Sequence, residues 1–268
     1  MARSALMNVM IGAATKAGRS LTKNYREIAN LQVSRKGPAD FVSAADKQAE
    51  KIIFEELSTA RPGWQFLMEE RGEVGGKDKQ HRWIVDPLDG TTNFLHSLPM
   101  FATSIALERE GELVAAVIYN PVMEEMFTAE KGRGAYFNDT RLRVAQRRDM
   151  ADMVIGTGLP FLGKAGHGKA LLEMRSVMGE TAGVRRYGAA ALDLAYVAAG
   201  RLDGFWERGL QPWDVAAGLL LVREAGGFVT DMAGAKADPF SGEYIAGNEE
   251  VVGKLRALID KSKMPEKA

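Results

Sequence analysis

The sequence predicts a layered fold that mixes helices and strands, in an α/β or α+β arrangement. In the first half, apolar residues recur at helical spacing, and two apolar runs flank a polar turn at residues 109–112. In the second half, short apolar runs alternate with segments rich in Ala and Leu, and one of these ends at a Gly-Gly pair. We therefore expect sheets that are covered by helices.

The first half is predicted to begin with two helices and to continue as strands. One helix is expected over residues 4–30. The second starts at Ser43, because Asp46 follows three residues later with the spacing of a capping box. Strands are expected at residues 64–68, 83–85, 101–108, 113–119, 126–129 and 134–137.

The second half is predicted to alternate between the two kinds of element. Strands are expected at residues 153–156, 202–207, 228–231 and 244–247, and helices at 169–177, 189–199, 215–225 and 249–260. The segment Arg147-Arg148-Asp149 marks the expected boundary between an N-terminal α+β subdomain at 1–148 and a C-terminal α/β subdomain at 149–268. We expect the two to form one compact unit.

Composition excludes several classes of function. The 268 residues are 46% hydrophobic and contain 35 basic and 35 acidic residues, so no strong nucleic-acid binding through bulk charge is predicted. The absence of cysteine excludes disulfides and thiolate chemistry, and the three histidines match no zinc motif. No signal-peptide core and no long apolar run is evident, so we expect a soluble, cytoplasmic protein without a membrane partner.

The most informative segment is a pair of acids around a proline. Asp86 and Asp89 flank Pro87, which fixes its own φ and pushes Asp86 toward extended geometry. A strand that leads into a turn can then aim both carboxylates to one side, with the carbonyl of Leu88 between them. The following Gly-Thr-Thr offers backbone N–H groups that can cradle a phosphate. The alternative is an ordinary turn, because Asp-Pro-x-Asp-Gly is a common turn composition.

Other acids lie at the ends of predicted elements. Asp214 falls in the first turn of a helix after Pro212, and Glu69 follows an apolar run. Buried carboxylates need a cation or hydrogen-bond partners, so their convergence with Asp86 and Asp89 would make a hard-oxygen site for Mg²⁺ and for phosphate chemistry. The alternatives are a helix cap for Asp214 and a solvated loop charge for Glu69.

Three further candidates have similarly simple alternatives. For Asp46, the alternative is that it does no more than cap its helix. For Glu207 the alternative is a solvated charge at a strand edge, and for Lys36 it is a loop charge. The segment at residues 158–165 nearly matches a phosphate-binding P-loop, but Ala165 replaces the required Ser or Thr and Pro160 removes a backbone donor. We therefore reject a P-loop. No Gly-x-Ser-x-Gly motif supports a serine hydrolase.

The sequence resembles the inositol monophosphatase family over nearly its whole length. The first signature is Trp-Ile-Val-Asp-Pro-Leu-Asp-Gly-Thr-Thr-Asn-Phe at 83–94, and the second is Trp-Asp-Val-Ala-Ala-Gly at 213–218. The Glu pair at 69–70 and the segment at 40–46 also match, with Ser43 where Thr is often found. The segment at 188–200 is similar to bacterial inositol-1-monophosphatases of the extragenic-suppressor type. The resemblance implies a layered αβαβα sandwich of the inositol monophosphatase and fructose-1,6-bisphosphatase type.

The resemblance also implies a site for two or three Mg²⁺ ions, with Li⁺ expected to inhibit. The implied metal ligands are Glu69, Asp86, the Leu88 carbonyl, Asp89 and Asp214. The N-terminal subdomain would carry most of these ligands, and the C-terminal subdomain would carry Asp214 and the substrate wall.

The implied catalytic and substrate-binding residues overlap with the metal ligands. The catalytic residues would be Asp46, Glu69 and Thr91, where Asp46 and Thr91 orient the attacking water and Glu69 lies near a third, weaker metal. The substrate-binding residues would be Asp89, Gly90, Thr91, Ala190 and Glu207. The family's serine contact near residues 157–158 has no clear match, and the role of Lys36 is open because the local loop length differs.

The function expected from these residues is Mg²⁺-dependent hydrolysis of a small phosphate monoester by a metal-activated water. Inositol-1-phosphate comes first as substrate because of the resemblance, and fructose-1,6-bisphosphate, 3′-phosphoadenosine phosphate, histidinol phosphate and nucleotides are the alternatives. The resemblance further implies a homodimer. A different class of function is also open: a regulatory partner of the transcription machinery or in ribosomal RNA maturation, for which the basic pieces Arg141-Leu142-Arg143 and Arg147-Arg148 offer a surface.

Overall fold

A computed structural model describes residues 3–28, 33–37 and 40–262, with the side chains of 35–37 and 40–42 left out. Five layers are stacked in the order helix, sheet, helix, sheet, helix. This arrangement confirms the αβαβα sandwich expected from the sequence. Lys36 lies outside the described side chains.

The helices of the described residues vary from one short turn to a long N-terminal helix. They are α1 (Ala5–Arg26), α2 (Ala44–Ala60), α3 (Thr91–Leu95), α4 (His167–Met178), α5 (Ala190–Ala198), α6 (Pro212–Glu224) and α7 (Glu249–Lys261). A 3-10 turn also occurs at Met150–Asp152.

The strands of the described residues form a hairpin and two sheets. They are β1 (Val33–Gly37), β2 (Asp40–Ser43), β3 (Gln65–Met68), β4 (Gly72–Val74), β5 (His81–Asp89), β6 (Ala102–Arg109), β7 (Glu112–Asn120), β8 (Glu125–Glu130), β9 (Gly134–Phe137), β10 (Thr140–Arg141), β11 (Val154–Thr157), β12 (Gly183–Arg185), β13 (Gly204–Arg208), β14 (Phe228–Thr230) and β15 (Glu243–Gly247). The larger sheet has the order β10-β9-β8-β7-β6-β5-β3-β4, and the smaller has the order β12-β11-β13-β15-β14.

The two N-terminal helices cover one face of the larger sheet. Ser4 caps α1 by accepting a hydrogen bond from the Met7 backbone, and Ser43 and Asp46 form the predicted capping box of α2. Successive side chains of a strand point to opposite faces, so Trp83 and Val85 of β5 pack against these helices. Their burial holds the strand that carries the first acidic signature.

The opposite face of the larger sheet packs against a central helical layer. Ile84 lies on this face and belongs to the same apolar cluster as residues of α5 and α6. Phe205 and Tyr244 of the smaller sheet join that cluster from the other side. The two central helices are therefore sandwiched between sheets, which explains why α5 is buried along its whole length.

The outer helices α4 and α7 close the second sheet. Trp206 and Ile245 pack with Val177 of α4 and Leu255 of α7 in a third apolar cluster. The smaller sheet is mixed, because β11 pairs in parallel with β12 and β13, whereas β15 pairs antiparallel with β13 and β14. The smaller sheet includes β13, and Glu207 lies near the end of this strand.

Most predicted elements are present, with shifted ends. The predicted hairpin around residues 109–112 is β6 and β7. The strand predicted at residues 83–85 extends to Asp89 as β5, and α6 begins three residues before the predicted start. The two-residue strand β10 and the short strands β4 and β12 were not predicted, because two or three residues carry no periodic signal.

The boundary at residues 148 and 149 falls between the two sheets, after β10 and before β11. The central helices come from the second half of the chain but also pack on the sheet of the first half. The division into subdomains therefore stays a prediction. Among the described residues, no helix has both the length and the apolar character needed to cross a bilayer.

Candidate active site

Strand β5 delivers the first two acids. Its regular pairing with β6 is interrupted between Asp86 and Asp89, where three steps along β5 match two steps along β6. A bulge of this kind locally re-aims side chains. Residues three apart point to opposite faces of a regular strand, so the bulge brings the two carboxylates closer to one side. Asp86 also accepts a hydrogen bond from the backbone N–H of Leu88 at 2.9 Å.

The chain turns sharply after this strand at Gly90. Gly90 has a φ of 91°, and an added Cβ would lie 2.8 Å from the carbonyl oxygen of Met100. Only glycine fits both the left-handed backbone and this close approach. The turn allows α3 to start at Thr91, so the N–H groups of Gly90 and Thr91 belong to a helix start directly beside the acids.

Asp46 serves two partners, one with each carboxylate oxygen. Its Oδ2 accepts from the backbone N–H and hydroxyl of Ser43, at 2.8 and 2.5 Å, and its Oδ1 accepts from the Thr91 hydroxyl at 3.0 Å. Burial is the largest cause of its raised pKa, which the Ser43 hydrogen bonds oppose and the nearby Glu69 reinforces. Asp46 therefore caps α2 and also contacts Thr91 beside the other acids.

Helix α6 brings Asp214 to the same place. Asp214 caps its own helix by accepting from the Gln211 backbone N–H at 2.7 Å, as the alternative reading of the sequence proposed. The Ser104 hydroxyl on β6 donates to the carbonyl of Trp213 at 3.2 Å, and Ser104 is the ladder partner of Asp86. This contact fixes the helix start over the end of β5.

The convergence of the acids is visible in their electrostatics. Burial, followed by repulsion from Glu69, Asp89 and Asp214, holds the pKa of Asp86 well above its ordinary value. Burial and repulsion from Asp214 likewise raise the pKa of Asp89 well above its ordinary value. Four candidate acids from three different segments, namely the end of β3, strand β5 and the start of α6, thus lie close together.

Helix α5 and strand β13 supply the wall beside these acids. Asp89 accepts a hydrogen bond from the backbone N–H of Ala191 at 2.7 Å, which holds the start of α5 against the acidic turn. Asn93 of α3 donates to the carbonyl of Tyr187 at 2.7 Å. Glu207 lies at the end of β13, where burial and repulsion from Asp214 raise its pKa to about 8.

A cavity of about 730 Å³ connects this wall to the acids. Predicted site residues along its lining are Glu69, Asp89, Ala190, Glu207 and Asp214. Its volume lies within the roughly 300–1,000 Å³ that small-molecule sites occupy. A second cavity of about 690 Å³ lies between α4 and α7 and has none of the predicted site residues in its lining. The first cavity is therefore the candidate active site.

The donor atoms at this cavity are suited to a hard cation, although they are not closed around one. Within residues 3–28, 33–37 and 40–262, no three Asp, Glu or His side chains are arranged so that they could hold a metal ion. Asp86, Asp89 and Asp214 each direct one oxygen to a backbone N–H group. The donors are nevertheless oxygens only, and their mutual repulsion is what a divalent cation would relieve. The donor atoms thus have the chemistry that a hard divalent cation prefers.

Sequence reasoning missed several residues at or near the cavity. Asp193 is buried in α5, and neither of its carboxylate oxygens has a hydrogen-bond partner among the described residues. Lys164, Lys169 and Arg186 line the cavity from the loop before α4, from α4 itself and from the segment before α5. The segment at residues 158–165 was evaluated only as a possible P-loop because of its Gly and Lys residues. The segment does reach the cavity, with Lys164 in the lining.

The fold and the site define a layered α/β enzyme with an acidic, oxygen-donor cavity between its two sheets. The sequence matches the model of the inositol monophosphatase family over residues 2–263. The chain is 64% identical over 265 residues to the inositol-1-monophosphatase of Mesorhizobium japonicum, covering 99% of this chain and 98% of that protein. It is 45% identical over 252 residues to the Nus factor SuhB of Escherichia coli K12, covering 94% of each.

A solved structure agrees with these relatives. The extragenic suppressor protein suhB from Bartonella henselae has a TM-score of 0.94 and 63% identity, covering 96% of this chain and 99% of that one. The chain belongs to the inositol monophosphatase family, and it is a phosphatase.

Proposed function

We propose that this phosphatase hydrolyses a small phosphate monoester, with inositol-1-phosphate as the first candidate, in a reaction that depends on Mg²⁺. The observation that carries the proposal is the convergence of Asp86, Asp89, Asp214 and Glu69 beside one cavity. The relatives named inositol-1-monophosphatase support the choice of substrate.

The proposed metal ligands are Glu69, Asp86, the Leu88 carbonyl, Asp89 and Asp214. When bound, Mg²⁺ would supply Lewis-acid activation of water and charge stabilisation at the phosphoryl and leaving oxygens. Two or three ions are proposed per site, because several acids would otherwise repel one another. Li⁺ is proposed to inhibit by competing for this oxygen-donor site, and phosphate release measured against LiCl concentration, with KCl as the control salt, tests this.

The remaining roles follow from the contacts of each residue. The backbone N–H groups of Gly90 and Thr91 start a helix and are proposed to bind the phosphate. Asp46 and Thr91 share a hydrogen bond of 3.0 Å and are proposed to orient the attacking water, with Glu69 beside them. Ala190 and Glu207 are proposed to contact the hydroxyl groups of the leaving alcohol, because both line the cavity.

The decisive experiment compares Asp89→Asn and Asp214→Asn with the parent in release of inorganic phosphate from inositol-1-phosphate. Each change removes one charge at nearly constant shape, so kcat should fall by about 10²-fold or more. The matched control is Glu73→Gln, an exposed acid on β4 that should keep the parent activity. Activity of either site variant within a few-fold of the parent contradicts the proposal.

The substrate itself is tested by a panel. Fructose-1,6-bisphosphate, 3′-phosphoadenosine phosphate, histidinol phosphate and a nucleotide are compared with inositol-1-phosphate by kcat/KM. A higher kcat/KM for one of the alternatives would replace inositol-1-phosphate as the substrate and leave the phosphatase chemistry intact.

A second candidate function is a regulatory binding role, and the relative named Nus factor favours it. The surface proposed for a partner in the transcription machinery includes Arg141, Arg143 and Arg148, which are exposed. Affinity capture from lysate with the parent and with Asp89→Asn separates binding from catalysis, because only catalysis needs that carboxylate. We also propose a homodimer, which sedimentation of the purified protein tests.

A further inference from the structure

One buried amide joins the proposed phosphate site to the wall for the leaving alcohol. Asn93 lies on α3, three residues after Gly90, and its side chain is buried. Its amide nitrogen lies 2.7 Å from the carbonyl oxygen of Met100 and 2.7 Å from that of Tyr187. An amide nitrogen carries two protons, so these two hydrogen bonds use both of them. One side chain thus connects α3, the loop before β6 and the segment before α5.

No other group takes the place of this amide. Among the residues that the structure describes, nothing else donates a hydrogen bond to the carbonyl oxygen of Met100 or of Tyr187. The carbonyl oxygen of Gly188 lies 3.4 Å from the same amide nitrogen, at the outer limit of a hydrogen bond. Loss of the amide would therefore leave two carbonyl groups without their donor and remove this connection between α3 and the segment before α5.

The turn that is proposed to bind phosphate abuts the same place. A Cβ added to Gly90 would lie 2.8 Å from the carbonyl oxygen of Met100 and 3.2 Å from the Cβ of Ala189. Ala189 directly precedes Ala190, and both line the cavity. The position of the wall relative to the phosphate turn therefore depends on how closely these segments approach one another, and the hydrogen bonds of Asn93 hold that approach.

A second connection between the same two parts has a different character. Asp89 accepts a hydrogen bond from the backbone N–H of Ala191 at 2.7 Å, and Asp89 is also a proposed metal ligand. Substitution of Asp89 thus removes a charge and a connection together. Asn93 is neutral and is not among the proposed metal ligands, so its substitution removes a connection alone.

From these contacts we propose that Asn93 is a positioning residue that sets the distance between the phosphate site at Gly90 and Thr91 and the wall at Ala190. The proposal rests on the proposed function, because the phosphate site and the wall are both parts of it. A monoester that spans both parts reacts only when its phosphorus and its alcohol are held in the right relative place, and a misplacement of about 1 Å can cost about 10²-fold in rate. Asn93 therefore acts on substrates whose leaving alcohol contacts the wall.

Two substrates with different leaving groups test this proposal. The leaving alcohol of inositol-1-phosphate carries several hydroxyl groups for the wall, whereas that of phenyl phosphate offers the wall no further hydroxyl group. Asn93→Ala should lower kcat/KM for inositol-1-phosphate about tenfold more than kcat/KM for phenyl phosphate. The Ki of inorganic phosphate, which needs only the phosphate site, should stay within about twofold of the parent value. This Ki is a comparison that does not depend on turnover.

The matched control is Asn120→Ala. Asn120 is also a buried asparagine, and its amide nitrogen donates to the carbonyl oxygen of Pro99 at 2.8 Å, one residue before Met100. Its side chain is otherwise hydrogen-bonded to the backbone of Val122 and Met123, which are not part of the segment before α5. Asn120→Ala should lose stability in urea unfolding and keep the parent ratio of the two kcat/KM values within about twofold.

A second test variant disturbs the same contact from the other side. A Cβ added to Gly188 would lie 3.3 Å from the amide nitrogen of Asn93, and position 188 has a φ of 81°. The Cβ would also lie 2.5 Å from a guanidinium nitrogen of Arg186, but that group ends a flexible side chain and can move away. Gly188→Ala should therefore lower the ratio of the two kcat/KM values in the same direction, and it decides the question if Asn93→Ala does not fold.

Two results overturn the proposal and leave the phosphatase function standing. One is a parent-like ratio of the two kcat/KM values in folded Asn93→Ala, or in Gly188→Ala if Asn93→Ala does not fold. The other is an equal loss of kcat/KM on both substrates, because Asn93 would then support the fold or the phosphate site alone. Failure of the proposed function gives a different result, which is parent-like phosphate release by Asp89→Asn.

Discussion

The Thr91 hydroxyl lies 3.0 Å from Oδ1 of Asp46, although 45 residues separate the two along the chain. The same hydroxyl lies 3.1 Å from the carbonyl oxygen of Leu88. A hydroxyl has one proton and can donate to only one of these acceptors at a time. If the Leu88 carbonyl held a metal ion as proposed, the proton would be directed to Asp46, and a lone pair of Thr91 would be left to accept a hydrogen bond from water.

This relationship predicts that the Thr91 hydroxyl matters more than the size of its side chain. Thr91→Val keeps the shape and removes the hydroxyl, so kcat for phosphate release should fall by about 10²-fold, the lower end of what a positioned proton-transfer group contributes. Thr91→Ser keeps the hydroxyl and should stay within a few-fold of the parent. Equal activity of the Val and Ser variants would show that the Thr91 hydroxyl has no catalytic role.

Local signals in the sequence account for much of the fold. The Ser43 and Asp46 capping box, the hairpin of β6 and β7 and the start of α6 near Pro212 all depend on residues a few positions apart. Composition and spacing express such features directly. The five-layer order came from the family resemblance, because no local pattern shows which helices lie between the sheets.

The parts of the site that could not be predicted depend on distant contacts. The hydrogen bond from Ser104 to Trp213, which fixes α6 over β5, joins residues 109 positions apart. From the local sequence, Asp193 is an ordinary polar residue of an amphipathic helix. Its burial results from the position of α5 between the two sheets. The loop that carries Lys164 reaches the cavity only through the packing of the second sheet.

Gly90 is predicted to be more sensitive to substitution than other glycines with a positive φ. Gly90→Ala must fit a Cβ 2.8 Å from the Met100 carbonyl oxygen and adopt a φ of 91°, whereas Gly111→Ala has a φ of 78° and open space around it. Gly111→Ala should lose about 1 kcal/mol of unfolding free energy through φ strain alone, and Gly90→Ala should lose at least about 1 kcal/mol more. Urea unfolding measures both, and equal losses would show that the turn relaxes.

Gly158 is predicted to control substrate affinity through Glu207. A Cβ at position 158 would lie 1.8 Å from a carboxylate oxygen of Glu207, so Gly158→Ala must push that side chain aside. We expect KM for inositol-1-phosphate to rise about tenfold, with kcat much less affected, and Glu207→Gln should also act mainly on KM. The control Gly168→Ala adds a Cβ in open space and should leave KM unchanged. An unchanged KM in Gly158→Ala would argue against a substrate contact by Glu207.

Asp193 is predicted to reduce stability increasingly as the pH rises. Burial holds its pKa well above the ordinary value, with repulsion from Glu207 and Asp89 adding to the effect. A carboxyl group whose pKa is higher in the folded than in the unfolded state adds no pH-dependent cost to the free energy of unfolding while it is protonated in both states, below about pH 4. The cost develops as the pH rises from the unfolded pKa to the folded pKa. Asp193→Asn should therefore gain stability over the parent, by more than about 1 kcal/mol at pH 8 and by less at pH 5.

Urea unfolding of both proteins at pH 5, 7 and 8 measures this difference. The other buried acids titrate in both proteins, so subtracting the two curves leaves the contribution of Asp193 together with its coupling to Glu207 and Asp89. A difference that stays constant with pH would mean that the carboxyl group remains protonated throughout, and a difference that shrinks with rising pH would contradict the sign.

Neutralising Asp89 is predicted to have opposite effects on stability with and without metal. In the presence of a chelator, Asp89→Asn removes a buried charge that Asp214 repels, so the variant should unfold at a higher temperature than the parent. An Asn oxygen can still accept the hydrogen bond from the Ala191 backbone. With Mg²⁺ in excess, binding to the native state should stabilise the parent by about 2.7 kcal/mol at 100 times Kd, and the variant by much less. Thermal unfolding with and without MgCl₂ measures both effects without any assay of activity. The Glu73→Gln control should follow the parent under both conditions, and a full response of Asp89→Asn to Mg²⁺ would exclude Asp89 as a ligand.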